Sequence, residues 1–131
     1  MKKLLFLPLV LIACLCLAQD AKKIIGKPIK IGNLLVAQND FPVEMKWNDA
    51  KNACLALGKG WRLPTKNELN ILYMKKLKIG GFVSNYYWCS TEVSYDIVEP
   101  VMTAWGKDFN SGRWDSSFKH DEYLVRAVKA L

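Results

Sequence analysis

Few side chains in this chain could carry covalent chemistry. His120 is the single histidine, and Cys54 and Cys89 are the two cysteines outside an apolar N-terminal stretch. A Cys89–His120 nucleophile and base would need a third group to orient the imidazole, and no residue is spaced to supply it. Two cysteines and one histidine also lack the ligand spacing of a zinc site. Trp47-Asn48-Asp49 and Glu99-Pro100-Val101 offer some oxygens, but calcium takes six to eight converging ones and Val101 contributes none from its side chain. No Gly-rich phosphate loop, nucleophile elbow or paired-carboxylate motif is present. A binding protein without catalytic residues, metal or cofactor is therefore expected.

Binding chemistry is better represented. Arg113 and Trp114 follow the turn Asn110-Ser111-Gly112, and Lys119 and His120 lie a few residues on. Aromatic and cationic groups on an irregular segment suit stacking on a sugar ring or pairing with an acid, although a loop tryptophan can equally be half buried for packing alone. The chain carries 19 basic and 12 acidic residues, a formal charge of +7. This excess favours acidic partners, either an anionic glycan or another envelope component such as a protein, and it also simply aids solubility. Nothing in the pattern calls for nucleic acid.

The elements that must position these groups follow from periodicity. Ile31 to Ala37 reads as a strand, and Asn39-Asp40-Phe41-Pro42 as a turn. Ala50, Ala53, Cys54 and Leu57 share one face of a helix from Trp47 to Leu57, which Gly58 and Gly60 end. After Pro64, Thr65 and Glu68 form a capping box for a second helix. Its apolar stripe is Leu69, Leu72, Tyr73 and Leu77, with Lys75, Lys76 and Lys78 at the end where the dipole favours cations. Tyr86–Thr91, Thr103–Phe109, Arg113–Phe118 and Tyr123–Val128 then read as strands, the middle pair joined by a hairpin. One strand, two helices and a group of strands make an α+β domain with a small, mainly antiparallel sheet.

Residues 1–18 have a leader's layout: Lys2 and Lys3, an apolar run from Leu4 to Leu17, then small and polar residues. The run is too short for a membrane span, which needs roughly 20 residues, and fits a secretory signal peptide. Cleavage after Ala18 is one reading. Leu11-Ile12-Ala13-Cys14 also fits a lipobox, which would place a lipid on Cys14 and give the chain its only membrane attachment. Export to the periplasm, cell surface or medium is expected either way. Loss of Lys2 and Lys3 from the 19 basic residues would leave 17 against 12 acidic ones, a charge of +5. Residues 19–30, with Lys22, Lys23, Lys27 and Lys30 around Gly26 and Pro28, read as a flexible basic lead-in to a domain over 31–131. In an oxidising compartment Cys54 and Cys89 could form one disulfide, contributing about 4 kcal/mol in the chain-entropy model; the alternative is two buried thiols.

Trp47-Asn48-Asp49-Ala50 with Cys54, Gly60-Trp61-Arg62-Leu63-Pro64-Thr65 and Glu68-Leu69 resemble the opening of the DUF1566 family, also described as the C-terminal domain of a bacterial collagen-like adhesin. Tyr87-Trp88-Cys89-Ser90-Thr91-Glu92, Ala104-Trp105, Phe109, Gly112 and Val125-Arg126-Ala127-Val128 agree with it. The family usually has serine where this chain has Cys89, so a Cys54–Cys89 bridge has no family support. The resemblance implies a C-type-lectin-like fold and no settled activity. In its motifs Trp47, Trp61, Trp88 and Trp105 are expected as core, and Arg62 and Arg126 as cations pinning loops to carboxylates or carbonyls.

Overall fold

The computed structural model describes residues 18–94 and 101–131. The lipobox, Cys14, Cys16 and Glu99-Pro100 fall outside the described residues. Among those described, the order is α1 (residues 18–25), β1 (Ile29–Ile31), β2 (Leu34–Val36), α2 (Trp47–Ala56), α3 (Lys66–Met74), α4 (Lys76–Ile79), β3 (Tyr86–Glu92), β4 (Thr103–Asp108), β5 (Trp114–Phe118) and β6 (Val128–Ala130). The architecture is α+β, with two three-stranded antiparallel sheets ordered β1-β2-β6 and β3-β4-β5.

Strand β3 organises the interior. Side chains alternate across a strand, so Trp88 points to one side and Tyr87 and Cys89 to the other, all fully buried. On the Trp88 side lies a cluster with Trp47, Ala50 and Cys54 of α2, Trp61 and Val125. On the Tyr87 side lies a second, with Leu69 and Leu72 of α3, Phe109, Val36 and Val128. The sheet is thus covered by α2 on one face and α3 on the other. Isolated bridges tie the segment before α3 to β6 through Arg62 and Val128, and tie β3 to the segment leading into β6 through Tyr87 and Leu124.

Each helix has a local cause. Thr65 caps α3, its hydroxyl accepting from the Glu68 amide at 3.2 Å while Glu68 accepts from the Thr65 amide at 2.9 Å. Helix α2 lacks a side-chain cap. It is held instead by burial of Trp47 and by the Trp47 indole N–H, which donates to the Cys89 carbonyl at 2.8 Å.

Several expectations are corrected. The lead-in at 19–30 is not a flexible tether: residues 18–25 are helical, Ile24 is buried, and backbone amides of Gln38 and Asn39 donate to the Ile25 and Ile24 carbonyls. Ile24 and Ile25 explain this, since they add apolar area that packs on the body. The strand expected over Ile31 to Ala37 is a β1–β2 hairpin turning at Gly32 (φ 58°). Of the closing strand expected at Tyr123–Val128, only Val128 lies in a paired strand. Leu77 is not in the helix stripe. The helix breaks at Lys75 (φ −103°, ψ 14°), and α4 restarts with Ile79 buried and Leu77 94% exposed.

Candidate functional site

Cys54 and Cys89 are free thiols, and the expected alternative of a disulfide is overturned. The reason is geometric: Cys54 lies in the α2-side cluster and Cys89 in the α3-side cluster, with the β3 backbone between them. Burial pushes the Cys54 thiol up to about 12 and raises that of Cys89 as well. Cys89 Sγ donates to the Trp105 carbonyl at 3.2 Å, whereas His120 is exposed and stacks on Phe118. The two do not form a nucleophile and base.

The motif arginines are anchored. Arg62 makes a fork onto Glu68 at 2.6 and 3.0 Å. That bonding holds the Glu68 carboxyl below its ordinary value of 4.5. Arg126 is completely buried, bonded to Asp40 at 2.7 Å and to the Ala37 and Gly80 carbonyls at 3.2 Å, with its guanidinium over the Phe82 ring. Tyr87 donates to the other Asp40 oxygen at 2.6 Å. Trp47, Trp61, Trp88 and Pro64 are buried, while Trp105 is half-buried.

The four residues expected to bind ligand are not brought together. Lys119 is paired with Glu92 at 2.8 Å and lies over the Trp47 ring. His120 projects separately, and Arg113 is exposed in the hairpin. Trp114 opens β5 and faces α3. It belongs to a different group, which the sequence reading missed.

That group forms because β4 and β5 pair Lys107 with Trp114 and Trp105 with Ser116. Trp105, Lys107, Trp114 and Ser116 therefore share one face. Helix α3 lies against it, placing Lys66 at its first turn and Tyr73 two turns later. Lys66 Nζ sits 3.7 Å from the Trp105 ring centre and 5.2 Å from that of Trp114. Lys107 Nζ is 4.4 Å from Trp114 and 4.9 Å from Tyr73. The result is an alternating row of rings and ammoniums. Lys107 is 3% exposed and donates to the Gly112 carbonyl at 2.7 Å. Its pKa is lowered, first by burial and then by repulsion from Lys66. Lys66 is half-buried, and no ion pair among the described residues involves it. No carboxylate stands on this face of β4 or β5: Asp108 and Asp115 alternate to the opposite side, where Asp115 accepts from Tyr86. Among the described residues no group of side chains could hold a metal ion.

A cavity of about 610 Å³ lies elsewhere, between α1, the loop at Asn39–Met45 and α2, and its walls are mostly apolar.

Comparison with known proteins places this geometry. Botrocetin matches with a TM-score of 0.58 at 11% identity, covering 81% of this chain and 98% of its own. The snake venom toxin convulxin matches at 0.59 and 14%, covering 81% and 96%. Rhodocetin, solved in complex with the integrin α2-A domain, matches at 0.52 and 15%, covering 81% and 98%. The fold is C-type-lectin-like. Curated proteins give no match. A family model matches residues 28–129, the stretch that carries the DUF1566-like motifs. The chain belongs to the family described as the Lcl C-terminal domain.

Proposed function

We propose that this chain is an exported, non-catalytic binding module that recognises an anionic glycan of the cell envelope or its surroundings. The observation that carries the reading is the face on which Lys66 stands between Trp105 and Trp114 with no carboxylate to neutralise it. Cation–π contact holds the ammonium in place while leaving its remaining N–H donors for an incoming acid. Charge-assisted bonds to carboxylate or sulfate oxygens are the strong ones, and the half-buried indoles offer flat apolar surface beside them for a sugar ring. Arg113 and Ser116, exposed on the same hairpin, extend the polar margin. The net positive charge, +5 once the leader with Lys2 and Lys3 is removed from the +7 of the whole chain, draws polyanions toward it.

Binding of acidic polysaccharides by titration calorimetry tests this. Lys66→Gln and Trp114→Ala should each weaken it about tenfold, the scale of one charge-assisted contact. Affinity should also fall steeply with salt, as screening shortens to about 8 Å at physiological strength. A panel of acidic glycans that gives no binding at low salt ends the proposal.

A second reading is docking to a protein. It is supported by the rhodocetin neighbour, which was solved bound to an integrin domain. That reading predicts a co-purifying partner whose capture survives high salt. Export through cleavage after Ala18 or lipidation of Cys14 stands with the leading proposal, and intact-mass measurement of the protein from its native cell distinguishes the two.

A further inference from the structure

The break in the helix at Lys75 creates a second surface, independent of the row of rings. It thrusts Leu77 out of the fold at 94% exposure; Ile71 at 42% and Met74 at 71% precede it on α3, and Val83 at 50% follows it. Leu77 and Val83 rim the same shallow cavity of about 340 Å³, floored by Gly80, Gly81 and Phe82. Isolated exposed leucines are ordinary on protein surfaces, but a cluster of aliphatic groups is not.

Along the chain the charge flanking Leu77 has one sign; the carboxylates that the fold brings to the 80–85 turn are engaged, Glu44 by Asn85 at 3.0 Å and Asp40 by Arg126. Lys75, Lys76 and Lys78 flank Leu77, and no acidic residue occurs in the sequence from Leu69 to Thr91. Lys76 is tied to the Phe109 carbonyl at 2.9 Å, whereas Lys75 and Lys78 are exposed. None of the three enters an ion pair among the described residues. Lysine is depleted at protein–protein contacts, which prefer aromatic and arginine anchors. Aliphatic knobs ringed by ammoniums suit a lipid interface instead. There the apolar tip enters the acyl boundary, and each lysine near an anionic surface adds about fivefold to binding.

We infer that the α3–α4 tip, with Leu77 as its apolar point and Lys75 and Lys78 as its cations, docks on an anionic lipid bilayer. The short helix α4 and the two glycines behind it (φ 82° and 78°) hold the knob clear of the body, so insertion requires no unfolding.

Vesicle co-sedimentation of the full chain tests it, comparing pure phosphatidylcholine with one-third phosphatidylglycerol. The leader's apolar run, with Lys2 and Lys3, adds the same background in every variant, so the reading is how the gain on adding anionic lipid changes from variant to variant. That gain should fall at least about fivefold in Leu77→Asp and in Lys75→Glu/Lys78→Glu. It should be unchanged in Leu55→Asp, an exposed leucine on α2 at 62%. No gain from anionic lipid, or a gain that both tip variants retain, overturns the inference. Loss of acidic-polysaccharide binding in the tip variants with vesicle binding intact would also overturn it, and would assign the tip to a glycan. Because Leu77 and both lysines are exposed, the variants remain folded, which circular dichroism checks.

Discussion

Arg126 is the most consequential single side chain in the fold. Its guanidinium is wholly enclosed, and its charge is met by Asp40 alone. The Asp40 carboxyl is raised chiefly by burial, against the opposing pull of Arg126 and the Tyr87 hydroxyl. Removing one partner of such a pair strands the other without water or counter-charge, which costs about 3–5 kcal/mol. Asp40→Ala should therefore lower stability by that amount in urea melts, and the double variant Asp40→Ala/Arg126→Met should recover a large part. Equal instability of the single and double variants would refute the ion-pair account. The half-exposed Arg62–Glu68 pair is weaker, worth at most about 1 kcal/mol after solvent screening. Its sign is definite. The folded-state pKa of Glu68 is depressed, so the stabilisation is present above the ordinary value of 4.5 and is lost as pH falls below it. Glu68→Gln should flatten the acid limb of a stability curve recorded from pH 3 to 7 and change little in its slope above pH 6.

Helix α3 was readable in the sequence because its start is set by neighbours: Thr65 and Glu68 are three residues apart and satisfy each other's backbone groups. The β4–β5 hairpin was readable for the same reason, from Asn110-Ser111-Gly112. Leu77 was misread because its periodicity is that of an unbroken helix, and the break at Lys75 comes from tertiary packing of Ile79 and the 80–84 turn. The row of rings and ammoniums was illegible for a related reason. Lys66 is distant in the chain from Lys107 and Trp114, and only the register of two strands, together with the placement of α3, joins them. Gly112 shows how tight that junction is. Its φ is +80°, and a Cβ there would meet the Tyr73 ring at 2.9 Å. Gly112→Ala should cost roughly 1–3 kcal/mol, seen as a lowered melting temperature. It should also shift Tyr73 away from Lys107.

Seen entire, the domain carries one apolar cluster on each side of β3, and this partition decides the fate of its sulfurs. Cys54 and Cys89 occupy different halves. Thermal stability should accordingly be the same with and without reductant; a fall on adding reductant would contradict the structure. With its pKa near 12 against an ordinary 9.0, Cys54 holds about a thousandfold less thiolate than a free thiol. Alkylation mapped by peptide mass should leave it unmodified until denaturant is added. Fold class was legible at this level because element order and paired motifs carry it, whereas the docking of residues 18–25 was not, since their lysines resemble those of a solvated linker.

The position of Lys66 between two indoles has a spectroscopic consequence. A nearby ammonium perturbs the excited state of an indole, so Trp105 and Trp114 should emit differently when an anion draws that charge outward. Trp88, enclosed on the far side of β3, should keep its emission and serve as an internal reference. Difference fluorescence between the whole chain and Trp114→Phe would then report occupancy without any label, and the protein would act as its own indicator.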